Sequence, residues 1–339
     1  MTVTLLGFMG ASAVVIAAGM LLSRTSDCIA DRTGLGGLVI GSFLLAGATT
    51  LPEIFTGISA VRIGAQDMAV GGMVGSCLLN LAILGLLDIL YCARFKRGIF
   101  TRVAPGHGRS ATLAVVLLAV VGVGVLHPSP VAVGGVGIGG VLIAAIYVVG
   151  TRAIVLQHRE DPEQEAVETV EAAETRDDRW EKVSTLWVTI LFALAAVIIS
   201  LASPRLAQSG QQLADGTGIG QTFFGTVFMS IVTSLPEFVA CVAAFRLGAF
   251  DLAVGNVLGS NTINIFVLFI LDIADRTGAL FSHVNGTHAI TALAAIAVTG
   301  VILQVILSPR GRHIWGVWPD GLAILITVAA GIGAVYVAR

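Results

Sequence analysis

Shifted by 184 positions, the sequence falls on itself: "TTLPE" at Thr49–Glu53 lands on "TSLPE" at Thr233–Glu237, and "RIGAQDMAVGGMVGS" from Arg62 lands on "RLGAFDLAVGNVLGS" from Arg246. Asn80 meets Asn264 and Asp88 meets Asp272, and about 18 of roughly 40 positions agree over residues 49–88. Two apolar segments do not share that much by composition, so the chain is an internal duplication.

The medium in which the two copies fold follows from hydropathy. Of 339 residues, 56% are hydrophobic and 12% charged, and the mean hydropathy is +0.93. So few charges cannot cover a water-soluble body of this length, which makes the chain a polytopic, all-α integral membrane protein. Runs long enough to cross the bilayer fall near 4–22, 36–61, 68–92, 111–127 and 130–150, then near 184–202, 218–245, 252–273, 288–308 and 320–337. The first of these has no basic segment before it and no small-residue cleavage site after it, so it is expected as a retained span.

Ten spans divide into two repeats of five, over 1–150 and 183–339, joined by an acidic linker at 151–182. Five is odd, so the second repeat must enter the membrane upside down relative to the first. Inverted repeats are the architecture of secondary transporters, with the binding site near the midplane where the repeats meet. With the N-terminus outside, 15 of the 19 Lys and Arg residues fall on inner connections, against Arg62, Arg205, Arg276 and Arg339 outside. The expected topology has both termini outside and the linker in the cytoplasm of a cell (inner) membrane. That linker carries ten acidic residues between Glu160 and Glu181 and reads as a solvated connection.

Within this frame the two glutamates stand out. Glu53 and Glu237 lie near the middle of their runs, where a carboxylate costs about 2.5–3.5 kcal/mol and needs a polar partner. Pro52 and Pro236 precede them and lack the N–H that would bond to Ala48 and Val232, so each helix is expected to open there. Thr49, Thr50, Thr233 and Ser234 put hydroxyls in the same turns; in a membrane helix such hydroxyls also bond back to their own backbone. On the returning spans Asn80 and Asn264 come to a similar depth, with Ser76 and Ser260 one turn before them. The set is all oxygen, as hard cations such as Ca2+ and Na+ require. The six histidines form no cluster, and Cys28, Cys77, Cys92 and Cys241 show no metal spacing and read as free thiols.

Two carboxylates neutralise one Ca2+, two Na+ or two protons. If the site must be neutral to cross, the cargoes exclude one another and exchange follows. Asp67 and Asp251, just after the turns, read as helix caps. Asp88 and Asp272 read as carboxylates reaching water at the span ends.

"GATTLPE" with "GSCLLN", and "TSLPE" with "GSNTIN", resemble the two alpha repeats of the sodium/calcium exchanger family of the Ca2+/cation antiporter superfamily. The resemblance implies ten helices in inverted halves and ligands at Glu53, Thr49, Thr50, Ser76 and Asn80, with Glu237, Thr233, Ser234, Ser260 and Asn264 opposite. It also implies main-chain oxygens near Ala46 and Ser230. The chain departs from the family where it has Asn264 in place of Asp and Cys77 in place of Asn. The function expected is Ca2+/Na+ antiport by alternating access, with the transported ions and the lipid bilayer as partners, no cofactor and no nucleic acid. The nearest alternative is a Ca2+/H+ exchanger, although "TTLPE" does not match the "GNxxE" pattern of that group. An enzyme is not expected: an intramembrane hydrolase would need a Ser/His pair at matched depth or a GxGD aspartate, and neither is present.

Overall fold

The computed structural model describes residues 2–33, 46–95, 97–129, 131–133, 135–158, 183–307 and 319–338. In the first half α1 spans Thr2–Thr33, a short helical stretch at 46–49 leads into α2 (Leu51–Arg62), and α3 (Gln66–Phe95), α4 (His107–Leu126) and α5 (Ile138–His158) follow. In the second half α6 is Thr185–Thr217, α7 Gln221–Thr233 and α8 Leu235–Leu247. They are followed by α9 (Phe250–Ala274), α10 (His288–Leu307) and α11 (Pro319–Ala338).

Eight of these helices are long and apolar enough to cross a membrane alone, and α7 with α8 forms a ninth, bent span. The remaining expected span, at 36–61, begins outside the described residues and reappears as 46–49 plus α2. The expected linker also lies outside them from 159 to 182, and α5 runs on to His158. A two-residue hairpin pairing, Ala132–Val133 against Val136–Gly137, is the only strand structure among the described residues.

The inversion governs the packing. α1 lies along α6, α2 packs on α6, and α8 packs on α1, so each half's second helix rests on the other half's first. α3 and α9 cross at the centre; α3 packs on α10 and α11, and α9 on α4 and α5. Accordingly 72% of the most apolar window is buried in both α3 and α9, against 11% in α5 and 17% in α6. The central pair therefore forms the scaffold, and the outer helices carry the lipid-facing surface.

α1 and α6 overrun the apolar windows that reveal them, ending at Thr33 and Thr217 instead of near 22 and 202. Ser23, Thr25 and Ser26 are buried in the α1 extension, with Thr25 Oγ1 donating to Leu21 O at 2.9 Å and Leu22 O at 3.0 Å. Hydropathy stops where polar residues begin; the helix continues because those residues bond to it.

Four aspartates fasten the ends, and each does so across space. Asp88 Oδ1 accepts from Ile99 N at 2.8 Å and Oδ2 from Gly321 N at 3.0 Å. Asp272 Oδ1 accepts from Leu280 N at 2.8 Å and Oδ2 from Gly137 N at 2.9 Å. Both are buried, so they do not reach water as expected; they close the loops of both halves instead. Asp67 and Asp251 lie in the first turns of α3 and α9, but their partners are in the loop and first turn where α10 and α4 begin, not in their own caps. Asp67 Oδ1 accepts from Asn285 N at 2.6 Å and meets His288 Nε2 at 3.0 Å; Asp251 Oδ1 accepts from Ala104 N at 2.7 Å and meets His107 Nε2 at 2.9 Å.

Removing Asp272 would orphan two buried N–H groups at about 1–3 kcal/mol each. Asp272→Ala is expected to lower the thermal unfolding midpoint in detergent, with Asp272→Asn falling between it and the parent chain. Midpoints for all three proteins at one scan rate check the order.

Candidate functional site

The two broken helices build the site from sequence upward. Proline at the second position of α2 and of α8 cannot continue a preceding helix, so the backbone turns at Thr50 (φ −78°, ψ −5°) and Ser234 (φ −88°, ψ 5°). α7 and α8 are bent by 48° across Ser234. Glu53 and Glu237 thus fall in the first turns of restarted helices, where the positive end of the helix dipole favours a carboxylate.

Both glutamates are 0% exposed. Glu53 Oε1 accepts from Ser234 Oγ at 3.2 Å and from Ser76 Oγ at 3.5 Å, which joins α2, α3 and the second half's break. Its Oε2, and both oxygens of Glu237, have no hydrogen-bond partner. Thr233 lies beside Glu53 and Thr49 beside Glu237, so each carboxylate faces the other half's hydroxyl.

α3 and α9 supply the opposite wall. Asn80 Nδ2 donates to Asn261 Oδ1 at 3.1 Å, while Asn80 Oδ1, Ser260 Oγ and both polar atoms of Asn264 are unpaired although fully buried. Buried polar atoms in native proteins are almost always paired. A cluster of unpaired oxygens around two carboxylates is therefore a candidate place to hold a cation.

The remaining expected ligands bond to their own helices. Thr49 Oγ1 donates to Ala46 O at 3.2 Å, Thr50 Oγ1 to Ala46 O at 2.7 Å, and Thr233 Oγ1 to Met229 O at 3.1 Å. Ala46 O also accepts from Thr50 N at 3.0 Å, and Ser230 O accepts from Ser234 N at 2.9 Å. Back-bonding does not remove these hydroxyls as ligands: the proton is fixed on the carbonyl, and the oxygen keeps its lone pairs for a cation. Ser230 Oγ itself donates to Gly72 O at 2.9 Å and Gly225 O at 3.0 Å, tying the break to α3.

Sequence reasoning missed Asn261. Its Nδ2 donates to Cys77 O at 3.2 Å, and Cys77 Sγ lies 3.6 Å from Asn261 O, so the pair pins α3 to α9 at the level of the site. The signal was available: Cys77 and Asn261 are partners under the 184-residue shift, but they differ in type and drop out of a count of identities.

Close approach depends on two glycines. A Cβ on Gly75 would run into the backbone of Thr226 and the Ser230 hydroxyl, within the π-helical turn Gly225–Met229. Gly19 of α1 rests on both prolines: its Cβ would stand 2.6 Å from Pro236 Cγ and 3.4 Å from Pro52 Cγ. Beside Glu53 a small cavity of about 10 Å3 extends toward the start of α3, lined by Thr56, Gly57, Gly72, Met73, Met229 and Thr233 among others.

The model of the family described as sodium/calcium exchanger protein matches residues 3–156 and 187–316, one block in each half. The chain belongs to that family. As a member it is similar to inner membrane protein YrbG of Escherichia coli, 29% identical over 78% of this chain and 77% of that one. It is also similar to sodium/calcium exchanger MaX1 of Methanosarcina acetivorans, 38% identical over 24% of this chain and 22% of that one. Among solved structures it shares the fold of YfkE, with a TM-score of 0.67, 18% identity and coverage of 97% and 91%. The exchanger NCX_Mj has the same fold, with a TM-score of 0.62, 19% identity and coverage of 98% and 99%. Membership makes the chain an integral membrane protein of a transporter family.

Overpacking a tight contact costs about 1–3 kcal/mol. Gly75→Ala is expected to lower the thermal midpoint, whereas Gly72→Ala, with open space around the added methyl, leaves it level or raises it. Paired melting curves in detergent check the contrast.

Proposed function

We propose that the chain exchanges Ca2+ for Na+ across the membrane by alternating access, binding both at a midplane site of Glu53 and Glu237 with Asn80, Asn264, Ser76, Ser260, Thr49, Thr50, Thr233 and Ser234. Main-chain oxygens at Ala46 and Ser230 border it. The observation that carries this reading is that three of four carboxylate oxygens are unpaired at 0% exposure. Among the described residues no Lys or Arg pairs with either carboxylate, so their charge calls for a bound cation.

The ligand chemistry supports the ion pair. Amide, hydroxyl and carboxylate oxygens suit hard cations, and Ca2+ takes about 6–8 of them. Among the described residues no cluster of three or more His, Cys, Asp or Glu is present that would favour a softer metal. Asn80, Asn261 and Asn264 stay neutral and cannot bind protons, so most of the shell serves an ion rather than a proton. MaX1 and NCX_Mj carry the name sodium/calcium exchanger, which agrees with Na+ as the counter-ion. In the second reading, two protons occupy the two glutamates and the exchange is Ca2+ for H+; the paired buried carboxylates are what favour it.

Exchange follows from exclusivity. Two carboxylates emptied of cations repel in a medium of low dielectric, so the loaded forms cross and the empty one does not. The charge bias of the connections supports an orientation with both termini outside and residues 151–182 in the cytoplasm.

In proteoliposomes, 45Ca2+ uptake is expected to follow an outward-directed Na+ gradient and to stay at background under a pH gradient alone. Uptake driven by pH and not by Na+ would replace this reading with Ca2+/H+ exchange. Glu53→Gln and Glu237→Gln are expected to reduce flux to the level of empty liposomes while the proteins still insert. Normal flux in both would remove the site from these residues.

A further inference from the structure

Asn256 is a buried amide outside the set just described. It is 1% exposed, and its Oδ1 has no hydrogen-bond partner. It stands four residues before Ser260, which stands four before Asn264, so the three share one face of α9 on rungs about 6 Å apart. The column of unpaired oxygens on α9 therefore extends one turn beyond the central set, toward Phe250.

The amide is held in one orientation. Cys241 Sγ lies 3.7 Å from Ala253 O and gives its single proton there, which leaves the sulfur as acceptor for Asn256 Nδ2 at 3.6 Å. With its NH2 on sulfur, the amide presents its oxygen elsewhere. Cys241 is four residues after Glu237 on α8, so thiol and carboxylate share a face one turn apart.

The other half has no such group. Under the 184-residue shift Asn256 corresponds to Gly72 and Cys241 to Gly57, both of which line the cavity beside Glu53. Open space surrounds the missing side chain of Gly72. Beside Glu53 there is thus a cavity bordered by Met68, Met73 and Met229, whereas the matching position of the other half carries an amide with an unpaired oxygen.

We infer that Asn256 Oδ1 and the Glu237 carboxylate form an entry subsite for a hard cation, Na+ or Ca2+, one helical turn outside the central set on the face where α9 begins. Cys241 acts there as a positioning residue for the amide. The inference rests on the exchange reading above. A neutral oxygen beside a carboxylate replaces part of a cation's hydration shell before it reaches the central ligands, so apparent affinity is higher on this face than on the one where α3 begins.

The test uses the full chain in vesicles of known orientation, with the KM for 45Ca2+ measured separately at each face. Asn256→Ala and Asn256→Gly are expected to raise KM about three- to tenfold on the α9 face only, with kcat and the opposite KM kept within about twofold. Cys241→Ala should shift the same KM in the same direction by less. No change, or an equal change at both faces, overturns the subsite. Should Asn256→Ala fail to insert, Asn256→Asp and Asn256→Ser decide: Asp must tighten and Ser weaken binding on that face, and a flat ranking overturns the proposal. If Glu237→Gln abolishes exchange while Asn256 variants are silent, the subsite alone fails; if Glu237→Gln still exchanges, Glu237 leaves the central site and the subsite fails with it; if the parent chain shows no Na+-driven 45Ca2+ uptake, the exchange reading fails.

Discussion

Two carboxylates at 0% exposure, with three of their four oxygens unpaired, are the constraint on which the rest of this membrane protein depends. Lipid cannot solvate them and, among the described residues, no lysine or arginine pairs with them, so the groups that meet them have to be polar yet uncharged. That requirement explains why both carboxylate-bearing helices break at proline, because a continuous helix would leave no main-chain or hydroxyl oxygen facing the charge. It also explains why α3 and α9, the most buried spans, carry Ser and Asn on their inner faces.

Tight packing follows from the same need. The break before Glu237 contains a π-helical turn, and Gly75 allows α3 to lie directly against it. Ser230 then bonds across to Gly72 O, and Asn261 bonds to Cys77 O. Each link joins elements of opposite halves. The candidate site is therefore a property of the contact between repeats, and neither half contains both glutamates.

Much of this was legible in the chain itself. The 184-residue repeat implied inversion, and the apolar runs placed nine spans, the run at 36–61 lying only partly within the described residues, because lipid makes hydropathy a direct report of position. Lengths were less legible: α1 and α6 pass through Ser, Thr and Gln segments that bond within the helix or against neighbours, which a hydropathy window scores as loop. Glu53, Glu237, Asn80 and Asn264 were legible because duplication marks them. Asn261 was not, since its partner position is a cysteine, and the role of Asp88 and Asp272 was not, since sequence does not show that Gly321 and Gly137 come to them.

The exchange of end contacts between halves has a further consequence, for ancestry. Asp67 finds His288 and Asp251 finds His107, and Asp88 finds Gly321 as Asp272 finds Gly137. Each aspartate belongs to one repeat and takes a partner from the other. A primordial single repeat would have carried both acceptors and donors without joining them in this way, and could have paired them only by meeting a second copy of itself, inserted the opposite way. Fusion of the two genes would then have fixed an antiparallel partnership that the unfused protein already needed in order to be stable.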